Sequence, residues 1–117
     1  MNPATKQLWI AALLGGKYLQ GRYRLRQYAR MVSGPSGREE LTSFCPMGVF
    51  CDITDPDGWE KPGHLEGWAH RGARYLPWPE LYWEHGLTSE MLLPLQPMMD
   101  QERKSFAEIA EWIDTHL

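Results

Sequence analysis

Cys45 and Cys51, the two cysteines of the chain, stand six residues apart in the stretch SFCPMGVFCD. A thiol at a helix N-terminus feels the positive end of the peptide dipoles, which favours the nucleophilic thiolate, and Cys45-Pro46 has the form of a helix start. His64, His70 and His85 could supply the base that a cysteine nucleophile needs. Packing is the opposing reading. Cysteine is among the most buried residue types, and Phe44, Met47 and Phe50 around it are apolar, which makes a thiol inert. No flanking residues match a protease or oxidoreductase signature. A small cysteine-dependent enzyme using Cys45 is therefore the alternative, and a chain without catalysis is favoured.

The same residues have a second chemistry. Cys45, Cys51, His64 and His70 are spaced C-x5-C-x12-H-x5-H, close to a zinc-finger layout. Zinc fingers hold their two cysteines on a tight knuckle, whereas PMGVF between these two reads as helix. Six helical residues rotate by roughly 240° and rise by roughly 9 Å, so the thiols point to different sides, too far apart for a disulfide. No metal site and no cofactor is expected. Asp52, Asp55 and Asp57 are crowded enough to suggest Ca²⁺, but they lack the glutamate that closes an EF-hand loop, and a solvated turn is expected.

Lys17, Arg22, Arg24, Arg26, Arg30 and Arg38 supply six of the twelve basic residues, interleaved with Tyr18, Tyr23 and Tyr28. Cations for phosphates and rings for stacking make a nucleic-acid-binding regulator using the cluster over 22–30 a second alternative. Its rivals are the solvated face of a hairpin, paired with Glu39 and Glu40, and a docking patch for an acidic or nucleoprotein partner. Fifteen acidic residues give a net charge of −3, which disfavours direct nucleic-acid binding. Six tryptophans are many for 117 residues. Trp59, Trp68, Trp78 and Trp83 fall within 25 positions, and some of them are expected at a binding surface.

The elements that must position these groups read as one domain over 1–117. Asn2-Pro3 caps a helix over 3–14, with Leu8, Trp9, Ala12 and Leu13 at helical spacing and Gly15-Gly16 as the stop. Tyr23 and Leu25 alternate with arginines, which predicts a strand with one wet face; a helix over 22–32, with Leu25, Tyr28, Ala29 and Val32 at helical spacing, is the competing reading. The turn residues SGPSG then lead to a returning strand near 39–44. A short helix opened by Pro46 has almost no polar face and should be buried. A second small hairpin is expected around Arg71-Gly72, and a short helix over 77–85 stopped by Gly86. Ser105 and Glu108 form a capping box ahead of the stripe Phe106, Ile109, Ala110, Ile113 and Leu117. The fold class is α+β: a small, helix-rich single domain with one or two short antiparallel hairpins. No apolar run reaches the roughly 20 residues needed to span a bilayer, and the start MNPATKQLW lacks a signal-peptide layout. A cytoplasmic chain with no membrane partner is expected.

WIAALLGGKYLQG, FCPMGVFCD, LPWPELYWEHGL and MDQERKSFAEIAEWI follow one another in the chain. In order and spacing they resemble a family of small phage and prophage proteins. That family's pattern runs W-x-x-A-L…Y-x-Q-G, F-C-x-x-G-V-x-C-D, then S-F-x-E-I-A-x-x-I. Two departures stand out: Pro46 occupies the position of a second family cysteine, and Met99-Asp100 replaces an Asn-Asp pair. The resemblance implies a phage or mobile-element origin and no particular activity. With small size, acidic balance and aromatic richness, it leads to the expectation of a non-enzymatic inhibitor acting by steric occlusion. Its partner would be a host protein or nucleoprotein complex, such as a CRISPR effector met by an anti-CRISPR protein. Arg22, Arg24, Arg26, Trp59, Trp68 and Trp78 are the candidate contact residues.

Overall fold

A computed structural model of the protein describes residues 1–35, 37–61 and 68–117. Helix α1 (Pro3–Leu14) begins where Asn2 Oδ1 accepts the backbone N–H groups of Ala4 and Thr5, satisfying two of the donors a helix start leaves free. Strand β1 (Leu19–Gln20) follows, then β2 (Arg26–Gly34) and β3 (Gly37–Phe44). The sheet order is β1-β3-β2, with β2 and β3 antiparallel. The hairpin expected there is present, but its first strand starts at Arg26. Residues 22–25 form a bend, because Tyr23 takes a left-handed backbone (φ 68°) that interrupts extended pairing. The parallel pairing of β1 with β3, Leu19 opposite Ser43, was not among the expected hairpins.

Helix α2 (Pro46–Thr54) runs through the centre, with Pro46 to Cys51 all buried. Gly48 lets it do so: a Cβ there would lie 1.7 Å from the Leu25 carbonyl oxygen, so α2 rests directly on the backbone of the bend. Trp9 joins α1 to the same point, its indole N–H donating to the Pro46 carbonyl at 2.9 Å.

Beyond a tight turn at Pro56–Gly58, β4 (Trp59–Glu60) pairs with β5 (Ala69–His70). Arg71 and Gly72, both left-handed, turn the chain back so that Ala73 bridges His70, the hairpin turn expected there. Three short helices come next: α3 (Pro79–Trp83), α4 (Ser89–Leu92) and α5 (Leu95–Asp100). Helix α6 (Phe106–His116) carries the capping box and packs on α1. Phe106, Ile109, Ala110 and Ile113 are buried as the stripe predicts. Gln20 ties sheet to helix: its amide oxygen accepts from the Phe106 N–H and its amide nitrogen donates to the Lys104 carbonyl. The chain is an α+β domain, and none of its described helices is long and apolar enough to cross a membrane.

Candidate docking surface

Arg26 is where three of the six sequence-derived contact residues meet: Arg26 itself, Trp59 and Trp68. Its guanidinium lies 3.8 Å from the centre of the Trp68 ring, 5.3 Å from Trp59 and 5.0 Å from Phe44, while Nε–H donates to Thr42 Oγ1. A desolvated cation between ring faces is held by their negative quadrupoles. Burial lowers the Arg26 pKa, and the Asp52 carboxylate opposes that shift. Asp52 itself accepts from the Tyr18 hydroxyl and the Trp59 indole N–H. Arg26, Trp59 and Trp68 are thus half-buried and packed together, with the Trp68 indole N–H buried and without a hydrogen-bond partner among the described residues. Arg22 and Arg24 stay in the bend, outside that stack, and Trp78 stands apart, 49% exposed. Past the bulge at Ala29, the tip of the β2–β3 hairpin is an arm with Tyr28, Arg30, Met31 and Arg38 all exposed.

Backbone hydrogen bonds extend the stack into a scaffold. The Trp68 N–H donates to the Arg26 carbonyl and the Leu25 N–H to the Arg74 carbonyl, so the loop around 74–76 is fixed beside the bend around Tyr23. The result is an open apolar groove. One half, of 120 Å³, lies among Met47, Leu76, Leu92, Leu93 and Leu95; the other, of 280 Å³, among Tyr23, Tyr75 and Asp100, with Cys45 at its back. Leu76, Gln96 and Met99 line both halves, so the two adjoin across a shared wall. Tyr23, Tyr75, Leu76 and Leu93 around it are each between 55 and 65% exposed. A lone exposed leucine needs no explanation, but here four large side chains stand exposed round one concavity.

The cysteines illustrate two opposing effects. Cys45 is the residue before α2, and the N–H groups of Met47 and Gly48 favour its thiolate. Burial outweighs them and pushes the Cys45 thiol up to about 11; Cys51 is pushed up by the same cause. Both are free and buried. At pH 7 a thiol reagent is expected to leave the native protein unmodified and to label both cysteines after denaturation. Rapid labelling of native Cys45 would restore the nucleophile reading.

The histidines are engaged elsewhere. His70 is fully buried with Nε2 2.8 Å from the Asp55 carbonyl, and His85 Nδ1 meets Thr5 Oγ1 at 2.8 Å. His64 lies outside the described residues. Among those residues no group of His, Cys, Asp and Glu is arranged to hold a metal ion.

No family model, curated protein or solved structure matches the chain. The functional reading therefore stands on this chain's own geometry and motifs. Tyr23, Tyr75, Leu76, Leu93 and Asp100 were not among the sequence-derived contact residues. The signal for part of the set was present in RYLPWP, where Tyr75 and Leu76 precede Pro77 and Trp78 stands between Pro77 and Pro79, a stretch too broken to bury them as one helix face.

Proposed function

We propose that the protein is a non-enzymatic binding protein that acts by docking on a partner and covering part of its surface. The observation that carries this reading is the apolar groove with Tyr23, Tyr75, Leu76 and Leu93 exposed round it. Large aromatic and aliphatic side chains at the centre of a patch are what protein partners use for most of their binding energy. The high thiol pKa values of Cys45 and Cys51 favour this reading over a cysteine enzyme. The motif resemblance to phage proteins supplies the partner class: a host defence complex, of which a CRISPR effector is the most concrete case. Steric occlusion of a nucleic-acid or nuclease-recruitment surface is the mechanism that needs least of so small a chain.

The test is co-purification with, and inhibition of, a panel of purified defence complexes. Leu76→Glu with Leu93→Glu should keep the fold, because both side chains are exposed, and abolish binding. Binding by no member of the panel, or binding untouched by the double substitution, would defeat the proposal. The exposed arginines of the hairpin arm are the feature that would favour nucleic acid instead, and a gel shift at low salt that fades as salt rises would mark that reading.

A further inference from the structure

The half of the groove between Tyr23 and Asp100 differs from the rest. Tyr23 is 57% exposed and also holds a left-handed backbone, φ 68°, which a bulky side chain takes only against a conformational cost. A γ-turn hydrogen bond spans it, the Arg24 N–H donating to the Arg22 carbonyl at 2.8 Å, while among the described residues its exposed ring makes no hydrogen bond of its own. What the conformation does is stand the ring beside the cavity whose other walls are Tyr75, Leu76 and Met99. Asp100, the last residue of α5, contributes a half-buried carboxylate to that cavity. Among the described residues the carboxylate makes no ion pair and accepts no hydrogen bond, although Arg22 and Arg24 flank Tyr23 in the chain. Two aromatic rings and one unpaired acid lining one cavity suit a planar cation, which can lie against a ring while a carboxylate accepts two parallel N–H bonds from it. The adjoining half lined by Met47, Leu76, Leu92 and Leu93 offers no charge, and suits an aliphatic side chain.

We infer that the groove recognises a segment of the partner protein in which an arginine, seated between Tyr23, Tyr75 and Asp100, neighbours an aliphatic residue seated over Leu76 and Met99. This rests on the docking reading and gives its partner a chemistry. Arginine is favoured over lysine because a guanidinium is flat, sheds water more readily, and can bond a carboxylate through two donors at once.

The intact chain can be titrated with acetyl-Leu-Arg-amide, and with the same dipeptide carrying citrulline, lysine or norleucine in place of arginine, while backbone amide NMR shifts are followed. Citrulline keeps the shape of arginine and removes its charge. The arginine peptide should produce saturable shifts at Tyr23, Gln96, Met99 and Asp100. Its affinity should fall about tenfold with citrulline, with Asp100→Asn and with 0.5 M salt, on the order of what a charge-assisted contact supplies. Tyr23→Gly separates binding from folding: glycine accepts φ 68° freely, so the variant should melt at a higher temperature than the parent and bind the peptide less tightly. Equal binding of arginine and citrulline peptides, equal binding of lysine, or full binding by folded Asp100→Asn would overturn the inference. If the norleucine peptide still shifts Leu76, Leu93 and Met99 in any of those cases, the apolar docking reading survives alone. If no peptide shifts these residues, both readings fall.

Discussion

Gly48→Ala is expected to cost about 3 kcal/mol of folding stability or more, although alanine is the better helix former by about 1 kcal/mol. The propensity gain is outweighed by contact: the new methyl would meet the Leu25 carbonyl oxygen at 1.7 Å and the carbonyl carbon at 2.6 Å. Relief by a small shift is blocked on both sides. Leu25 is fully buried and its N–H is bonded to the Arg74 carbonyl, while α2 is enclosed over Pro46 to Cys51. Since small domains are stable by only about 5–15 kcal/mol, the loss should be plain in urea unfolding at 25 °C. Equal midpoints for Gly48→Ala and parent would show that α2 does not rest on the bend as described. Because the bend carries Tyr23, the variant should also lose peptide binding beyond what its unfolded fraction accounts for.

The second large effect concerns Arg26. Arg26→Ala removes a cation lying on Trp68, near Trp59 and Phe44, and leaves the Thr42 hydroxyl without its donor. About 3 kcal/mol of destabilisation is expected from the lost ring contacts, hydrogen bond and packing together. Arg26→Lys should recover less than half of it, since an ammonium keeps the charge but cannot lie flat on Trp68 while donating sideways to Thr42. Tryptophan emission should report the loss directly, because Trp59 and Trp68 are the rings uncovered. A parent-like unfolding midpoint for Arg26→Ala would mean that the stack follows from the fold and contributes nothing to holding it.

These two positions also show why some features could be read in the chain and others could not. Local signals act over a turn or two, and they were sufficient for α1, with its Asn2-Pro3 start, and for α6, with its Ser105 and Glu108 box. The buried character of α2 followed from a composition with almost no polar face. Arg26, by contrast, belongs to a strand rich in arginines, and nothing adjacent distinguishes it from Arg22 or Arg24 as the one that turns inward. Its partners Trp59 and Trp68 lie more than thirty residues away, so the distinction is made only by tertiary pairing. Tyr23 is similar: alternation with arginines suggested a strand, but the approach of α2 through Gly48 and the bond from Leu25 to Arg74 hold a bend there instead. The groove joins the bend, the loop around 75–76 and helices α4 and α5, none of which carries its outline alone.

The packing of α1 against α6 has a consequence for how the molecule is made. Elements that lie side by side in the finished domain are the earliest and the latest of the described elements to be synthesised. Until α6 emerges, α1 can pack on α2 through Trp9 but lacks the second neighbour that covers its other side, and Lys6 has no Asp114 carbonyl to reach. A nascent chain in that state exposes apolar surface for the whole interval, so its yield in a cell depends on holdase capacity and on how fast Phe106–His116 is completed.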